Sequence, residues 1–167
     1  MAILIDGFNL IYKFPELEQL MYQGRLTEAR TGLLNRLKEF QKITGVQIRV
    51  VLDGKKQESL DLKRERVGKI DVYYSIDFSA DYLIKQFIKK DMNPRMATVV
   101  TSDKDIIDFV LRFKAKVKKS EDFAKHVEET IKKMLEEQIP EKEDDPVVSD
   151  DEIAYWESEF NGPAKKK

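Results

Sequence analysis

Cysteine is missing from this chain, and histidine occurs once, as His126. The first absence removes disulfides, thiolate zinc sites and cysteine nucleophiles, and it agrees with a reducing compartment. The second leaves no basis for a histidine-rich metal site or for Ser-His-Asp chemistry. Long apolar runs are missing too. Nothing approaches the roughly 20 residues that a membrane span requires, so a soluble protein with no membrane partner is expected. The opening MAILIDGFNLIY has no basic leader and is interrupted by Asp6 and Asn9, so it reads as a first strand and not as a signal peptide. A Walker phosphate loop is lacking as well, because Gly54-Lys55-Lys56 has neither the upstream glycine nor the following Ser or Thr. Any catalysis therefore falls to carboxylates.

What is present suits one globular domain: 167 residues, 41% of them hydrophobic, enough to bury a core. The net charge of -1 conceals an imbalance, since residues 1–140 carry 26 Lys and Arg against 22 Asp and Glu, while residues 141–167 carry 4 against 9. A domain that is basic apart from its aspartates favours a polyanionic partner. From Pro140 the sequence EKEDDPVVSDDE is acidic, broken by proline and poor in large apolar residues, as expected of a solvated segment. We therefore expect a domain over 1–138 and an acidic, largely disordered tail over 139–167, with a short helix at 150–160 around Tyr155 and Trp156.

Strands and helices alternate along the domain. Short apolar strands are expected at Ala2–Ile5, Val46–Leu52, Ile70–Tyr74, Ala97–Thr101 and Ala115–Val117. Pro15–Gln23 reads as a loop or brief helix. Helices follow at Thr27–Ile43, which carries Ala29, Leu33, Leu34, Leu37 and Phe40 at helical spacing, at Ala80–Lys90, from about Asp103, and over Ser120–Gln138. In the last, Phe123, Val127, Ile131 and Leu135 recur every four residues, the stripe of a helix laid on a core. Such alternation argues for an α/β fold with a parallel sheet covered on both faces. Lys55–Lys69 reads as a basic connecting segment. His126 reads as an ordinary helix residue, and Tyr73, Tyr74 and Phe78 as core or rim packing.

Open α/β sheets bind ligands outside the carboxyl ends of their strands, and aspartate stands there repeatedly. Asp6 closes the first strand and Asp53 the second, Asp77 and Asp81 follow the third, and Asp103 and Asp105 follow the fourth. Carboxylates gathered at one edge repel one another unless cations occupy the space between them. Hard oxygen donors of this kind suit Mg²⁺ or Mn²⁺, which can activate water for phosphodiester cleavage. Each acid also has an ordinary structural role open to it. Ser102 or Asp103 suits a helix cap, Asp53-Gly54 a turn, and Asp81 a first helical turn. Asp6 is harder to explain in that way, because a carboxylate ending an apolar strand is exposed to desolvation. Asn9 offers an amide either for a phosphate oxygen or for closing a loop. Lys55, Lys56, Lys63, Arg64, Arg66 and Lys69 offer either phosphate contacts or a solvated face.

With these residues in view, the chain resembles the YacP-like branch of the NYN domains, a group of PIN-like nucleases. The matching pieces are Asp6-Gly7-Phe8-Asn9, Thr27-Glu28-Ala29-Arg30 opening a helix that ends at Thr44-Gly45, Val50-Val51-Leu52-Asp53-Gly54, Ser79-Ala80-Asp81 and Thr101-Ser102-Asp103, in the family's order across residues 1–137. The resemblance implies a PIN-like three-layer sandwich with a central parallel sheet of strand order 3-2-1-4-5, metal-dependent RNA cleavage, and a bacterial cytoplasmic setting. It puts the metal-binding acids on Asp6, Asp81 and Asp103, with Asn9, Asp53 and Ser102 in support. Asp105 matches the spaced acid pair of the wider NYN pattern. The glycine often seen before the last strand is replaced by Phe113-Lys114-Ala115.

The expectation is thus an endoribonuclease that binds Mg²⁺ or Mn²⁺ through Asp6, Asp81 and Asp103, completed by Asp105 or Asp53. Asn9, Ser102, Lys55, Lys56, Arg64 and Arg66 would contact an RNA that is messenger or structured. The rival is a catalytically weak RNA-binding or ribosome-associated module on the same fold. An aspartyl-phosphate protein fits less well, because Asp6-Gly7-Phe8 lacks the second acid that such proteins carry.

Overall fold

The computed structural model describes residues 2–53, 64–76 and 78–138. In chain order they form β1 (Ala2–Asp6), α1 (Gly7–Ile11), α2 (Pro15–Tyr22), α3 (Leu26–Thr44), β2 (Gln47–Asp53), β3 (Arg64–Val67), β4 (Ile70–Ser75), α4 (Ala80–Lys90), β5 (Ala97–Val100), α5 (Lys104–Arg112), β6 (Lys116–Lys118) and α6 (Ser120–Glu137). Backbone contacts divide the chain into Met1–Ile131, which holds the whole sheet, and Lys132–Lys167, of which the last turns of α6 are described. The expected acidic tail and its helix at 150–160 lie outside the described residues, as do Gly54, Lys55, Lys56, Lys63 and Asp77.

The sheet has six strands in the order β3-β4-β2-β1-β5-β6. Without β3 this is the expected 3-2-1-4-5 order, and every pairing among those five strands is parallel. The correction concerns Arg64–Val67. Read as part of a basic connecting segment, it is an edge strand paired antiparallel with β4, so the sheet is mixed. Gly68, at φ +62°, supplies the left-handed residue of the tight turn into β4. Only Val67 is apolar in β3, and an edge strand exposed on one side needs little more, which is why hydrophobic patterning does not reveal it. Arg64 and Arg66 instead each donate to Asp71 Oδ1 across the ladder, both at 3.2 Å.

The inner strands are apolar because helices cover both of their faces. Ile3, Ile5, Ile48, Val50, Leu52, Val72 and Tyr74 face a core with Leu10, Phe14, Leu33, Leu37, Phe40 and Phe123 from α1, α3, α6 and the α1–α2 connection. Leu4, Val51 and Val99 face a second core with Ile84 and Ile88 of α4 and Ile106 and Val110 of α5. Two of the expected α6 stripe positions, Phe123 and Val127, are buried, whereas Leu135 is exposed. His126 is exposed and sets its ring edge-on to Phe40 at 5.3 Å. Lys114 takes the left-handed conformation after α5, at φ 65°, in the stretch where the family often carries glycine. β6 nonetheless starts in register, with Lys116 opposite Thr98.

Gly7 is the tightest point near the carboxyl edge. A Cβ there would lie 2.4 Å from Leu52 Cδ2 and 2.8 Å from the Val51 carbonyl oxygen. Only glycine lets α1 start directly on β2, where it turns Asp6 and Asn9 toward the edge. Gly7→Ala is expected to cost about 1–3 kcal/mol through overpacking. The check is a denaturant melt beside Gly24→Asn, whose site has open space and tolerates a left-handed residue; equal stability of Gly7→Ala and wild type would refute the contact.

Candidate active site

Parallel register brings the ends of β1, β2 and β5 to one edge: Asp6 is opposite Val51, and Ile5 is opposite Val100. Asp6 follows Leu4 on the face covered by α4 and α5, so its side chain is directed to the side from which Asp81 and Asp103 arrive. Asp81 lies in the first turn of α4, whose N-cap is Ser79 with its side chain accepting from Tyr82 N. Asp103 caps α5, and its Oδ1 accepts from Asp105 N at 2.9 Å and Ile106 N at 3.3 Å. The capping role open to Asp103 is therefore real. It occupies one carboxylate oxygen, and the other is not engaged by the cap.

Asp6 carries the electrostatic cost of this arrangement. Burial pushes its pKa up from 3.8 to about 6; the hydrogen bond from Thr101 opposes the rise, the charge of Asp103 adds to it, the Asn9 backbone N–H opposes it, and Asp81 adds again. Thr101 is fully buried and donates to Asp6 Oδ2 at 2.9 Å, while its Oγ1 accepts from Asp103 N at 3.1 Å. One hydroxyl thus orients the carboxylate of β1 and the backbone that presents Asp103.

A second network fixes the loop after β5. Asn9 Oδ1 accepts from Ser102 N at 2.8 Å and from Ser120 Oγ at 2.6 Å, and Ser120 N donates to Ser102 Oγ at 3.0 Å. Ser102 Oγ in turn donates to Glu121, whose carboxyl is held below the usual range by that bond. Of the two roles open to Asn9, its carbonyl oxygen takes the loop-closing one.

Lys85 completes the acidic side. Its ammonium pairs with Asp81 Oδ1 at 3.0 Å and with Asp105, in the first turn of α5. The hydrogen bond from Lys85 holds the exposed Asp105 carboxyl below its ordinary pKa, and the two acids raise that of Lys85.

The structure therefore gathers Asp6, Asp103 and Asp81 as electrostatic neighbours and ties Asp105 to Asp81 through Lys85. Asp53 stands apart, two residues beyond the Asp6 register on β2, where it lines a cleft with Phe8, Tyr12, Met21 and Leu26. Arg64 is level with Asp6 across β4 and β2, three strands away, and Arg66 lies two residues further back. Lys55 and Lys56 fall outside the described residues. Sequence reasoning missed Thr101, Lys85, Ser120 and Glu121 as site residues. Lys85 had a signal, since it sits four residues after Asp81 on an amphipathic helix. Thr101 and Ser120 had none beyond polarity, because their partners are distant in the chain.

A model of the YacP-like NYN domain matches residues 3–159. The chain belongs to this family. NYN domains fall within the PIN-like nuclease superfamily, whose members generally use divalent metals. The uncharacterized protein YacP of Bacillus subtilis (strain 168) is 30% identical over 73 residues, 44% of this chain, and the chain spans only 42% of that relative. A crystal structure of Rae1 (YacP) from Bacillus subtilis superimposes with a TM-score of 0.69 at 22% identity, covering 97% of this chain and 95% of that one. A point mutant of the same protein gives 0.65 at 24%, covering 82% and 79%. At these identities the superpositions establish the fold alone.

Among the described residues, no three acids or histidines form a ready coordination cluster. The donor chemistry nonetheless fits a hard divalent ion: the half-buried Asp6 carboxylate is raised by burial and by two further carboxylates, and a cation would relieve that charge. No described helix is long and apolar enough to cross a membrane.

A raised carboxyl pKa destabilises the fold once the group must ionise. Between pH 4 and 6 the folded state holds a proton that the unfolded chain releases, so stability falls as pH rises through this window. Two units at about 1.4 kcal/mol each amount to about 3 kcal/mol, missing at neutral pH in the absence of metal. Asp6→Asn is expected to recover much of this at pH 7.5 in EDTA and to flatten the pH 4–6 slope. Denaturant melts across that range test it; a variant with the wild-type slope would show that Asp6 is not the group.

Proposed function

We propose that the protein is a divalent-metal-dependent endoribonuclease whose chemistry takes place at the carboxyl edge of the sheet. The single observation that supports this best is Asp6, raised to about 6 by burial and by its neighbours Asp103 and Asp81. Carboxylates perturbed by burial together with neighbouring charge cluster at functional sites. Asp6, Asp81 and Asp103 would hold Mg²⁺ or Mn²⁺, with Asp105 and Asp53 at the periphery. A bound ion would lower the pKa of its water and stabilise the leaving oxygen. The chain's own residues orient the acids: Thr101 holds the Asp6 carboxylate, and the Asn9–Ser102–Ser120 network holds the loop that carries Asp103. Lys85 neutralises Asp81 and Asp105 and lets an anionic substrate approach.

Single-stranded or looped RNA, messenger or structured, is the proposed substrate. Phosphate contacts would come from Lys55, Lys56, Arg64 and Arg66. Arg64 lies about 14 Å from Asp6 by strand spacing, within reach of a few nucleotides. Arg64 and Arg66 remain more than half exposed while pairing with the buried Asp71. We place the protein in the cytoplasm and take residues 139–167 to be a tail outside the nuclease domain. One observation favours a second reading, a catalytically weak RNA-binding or ribosome-associated module: Lys85 already neutralises two of the acids and would compete with a metal for Asp81.

Asp103→Asn separates the readings, because asparagine keeps the cap on α5 yet removes a charge that a metal needs. Labelled RNA and DNA are incubated with wild type and variant in Mn²⁺, Mg²⁺ or EDTA, and melting curves are recorded with and without Mn²⁺. The nuclease reading expects RNA cleavage that chelator abolishes, a loss of at least 100-fold in the variant, and loss of its metal-induced melting shift. Full activity with an unchanged shift would remove Asp103 from the site, and RNA binding that survives EDTA with no cleavage would favour the binding module.

Changing Lys55, Lys56, Arg64 and Arg66 together to alanine is expected to weaken RNA binding and flatten its dependence on salt, since each phosphate contact releases counterions. The variant should melt somewhat lower, because Asp71 loses both partners. A binding slope equal to that of wild type would move the RNA path elsewhere.

A further inference from the structure

The acids at the carboxyl edge fall into two groups that share one member. Asp103 and Asp81 are the carboxylates whose charge bears on Asp6. Asp81 is also one of the two that meet Lys85, and the other is Asp105. Packing fixes the second group. Ile84 and Ile88 seat α4 in the core that Ile106 and Val110 of α5 share, and Lys85, one turn after Asp81, reaches across to α5. Its ammonium lies 3.0 Å from Asp81 Oδ1, touches Asp105 Oδ2, and sits over the ring of Phe109, one turn beyond Asp105, at 5.4 Å from the centroid. With its side chain only 22% exposed and three partners around its charge, this is a seated cation and not a freely solvated surface lysine.

A cation in that position excludes another. A divalent ion bridging Asp81 and Asp105 would need their oxygens at about 2.0–2.6 Å, and the Lys85 nitrogen already fills the space between them. Lys85 engages one oxygen of Asp81, and the cap on α5 engages one oxygen of Asp103. Each of these acids therefore keeps its second oxygen for an ion shared with Asp6. Two-ion nucleases use their second cation to stabilise the leaving oxygen. An ammonium has three donors, of which Asp81 and Asp105 take two, and the third is left for a phosphate oxygen.

We infer that the Lys85 ammonium is the second cation of this site, so that the acids hold one divalent ion and Asp105 serves Lys85 instead of a metal. The inference rests on the metal-dependent nuclease reading, and its test counts ions without cleavage. The full chain, freed of metal, is titrated with Mn²⁺ while unbound ion is followed by electron paramagnetic resonance, and melting curves are recorded in EDTA and in Mn²⁺. Ions are counted relative to Asp103→Asn, so that any held elsewhere in the chain cancel. Wild type is expected to take one. Lys85→Met, which keeps the length of the stem and removes the charge, should take two, melt lower in EDTA and gain more from Mn²⁺ than wild type gains. Lys85→Arg should keep the single ion, because it keeps the charge. Adding Asp105→Asn to Lys85→Met should remove the second ion, whereas Asp105→Asn alone should leave the first in place.

A Lys85→Met protein that still takes one ion overturns the inference, as does a wild type that takes two or an Asp105→Asn protein that takes none. Each of these outcomes leaves the nuclease reading standing. A wild type that takes no ion removes that reading together with the inference. A lysine that only braces α4 against α5 would lower the melting temperature in EDTA and leave the ion count at one, which is the first of the overturning results. Should Lys85→Met not fold, the counts for wild type and Asp105→Asn decide the matter, one ion in each supporting the inference.

Discussion

Burial of one carboxylate at the end of an apolar strand governs the arrangement around it. Asp6 continues Ile3, Leu4 and Ile5, which are buried on both faces of the sheet, and so it inherits part of their desolvation. A lone carboxylate there would protonate or be replaced by something less costly. Instead Thr101 donates to it, and two further carboxylates, Asp103 and Asp81, add their repulsion. The fold bears the cost of holding these charges together.

Repulsion among acids would scatter them if the backbone were free to yield. The loop after β5 cannot yield, because Asn9 holds Ser102 and Ser120 together while Ser102 also meets Glu121. Three segments far apart in the chain are thereby fastened: the start of α1, the turn before α5 and the first turn of α6. Gly7 adds the steric half of the constraint, since α1 lies too close to Leu52 and the Val51 carbonyl for any larger residue. The Asp-Gly-Phe-Asn motif then divides its work. Asp6 bears the charge, Gly7 permits the approach, Phe8 lines the cleft and Asn9 locks the loop.

The two sides of this edge differ in chemistry. On the α4 and α5 side, acids and Lys85 alternate in sign and suit ions and phosphate. On the α1 to α3 side, Phe8, Tyr12, Met21 and Leu26 present apolar surface. Asp53 stands at the border between the two, two residues past the Asp6 register.

Apart from the helix α1 at Gly7–Ile11, which it reads as part of the first strand, the sequence by itself determined the five parallel strands, the helices α3 to α6 and the standing of aspartates at the strand ends, because hydrophobic period and strand-end position are local properties that survive folding unchanged. It also carried the family, since the motifs at Asp6, Asp53, Asp81 and Asp103 are contiguous in the chain. Only the tertiary structure decided how those acids are grouped. Register put Asp53 two residues past Asp6, and the packing of α4 beside α5 let Lys85 bridge Asp81 and Asp105. The edge strand Arg64–Val67 was equally out of reach, because what holds it is pairing with β4 and with Asp71 and not an apolar face of its own. Thr101 and Ser120 acquire their roles only when residues about a hundred positions away arrive beside them, and no local pattern records such a meeting.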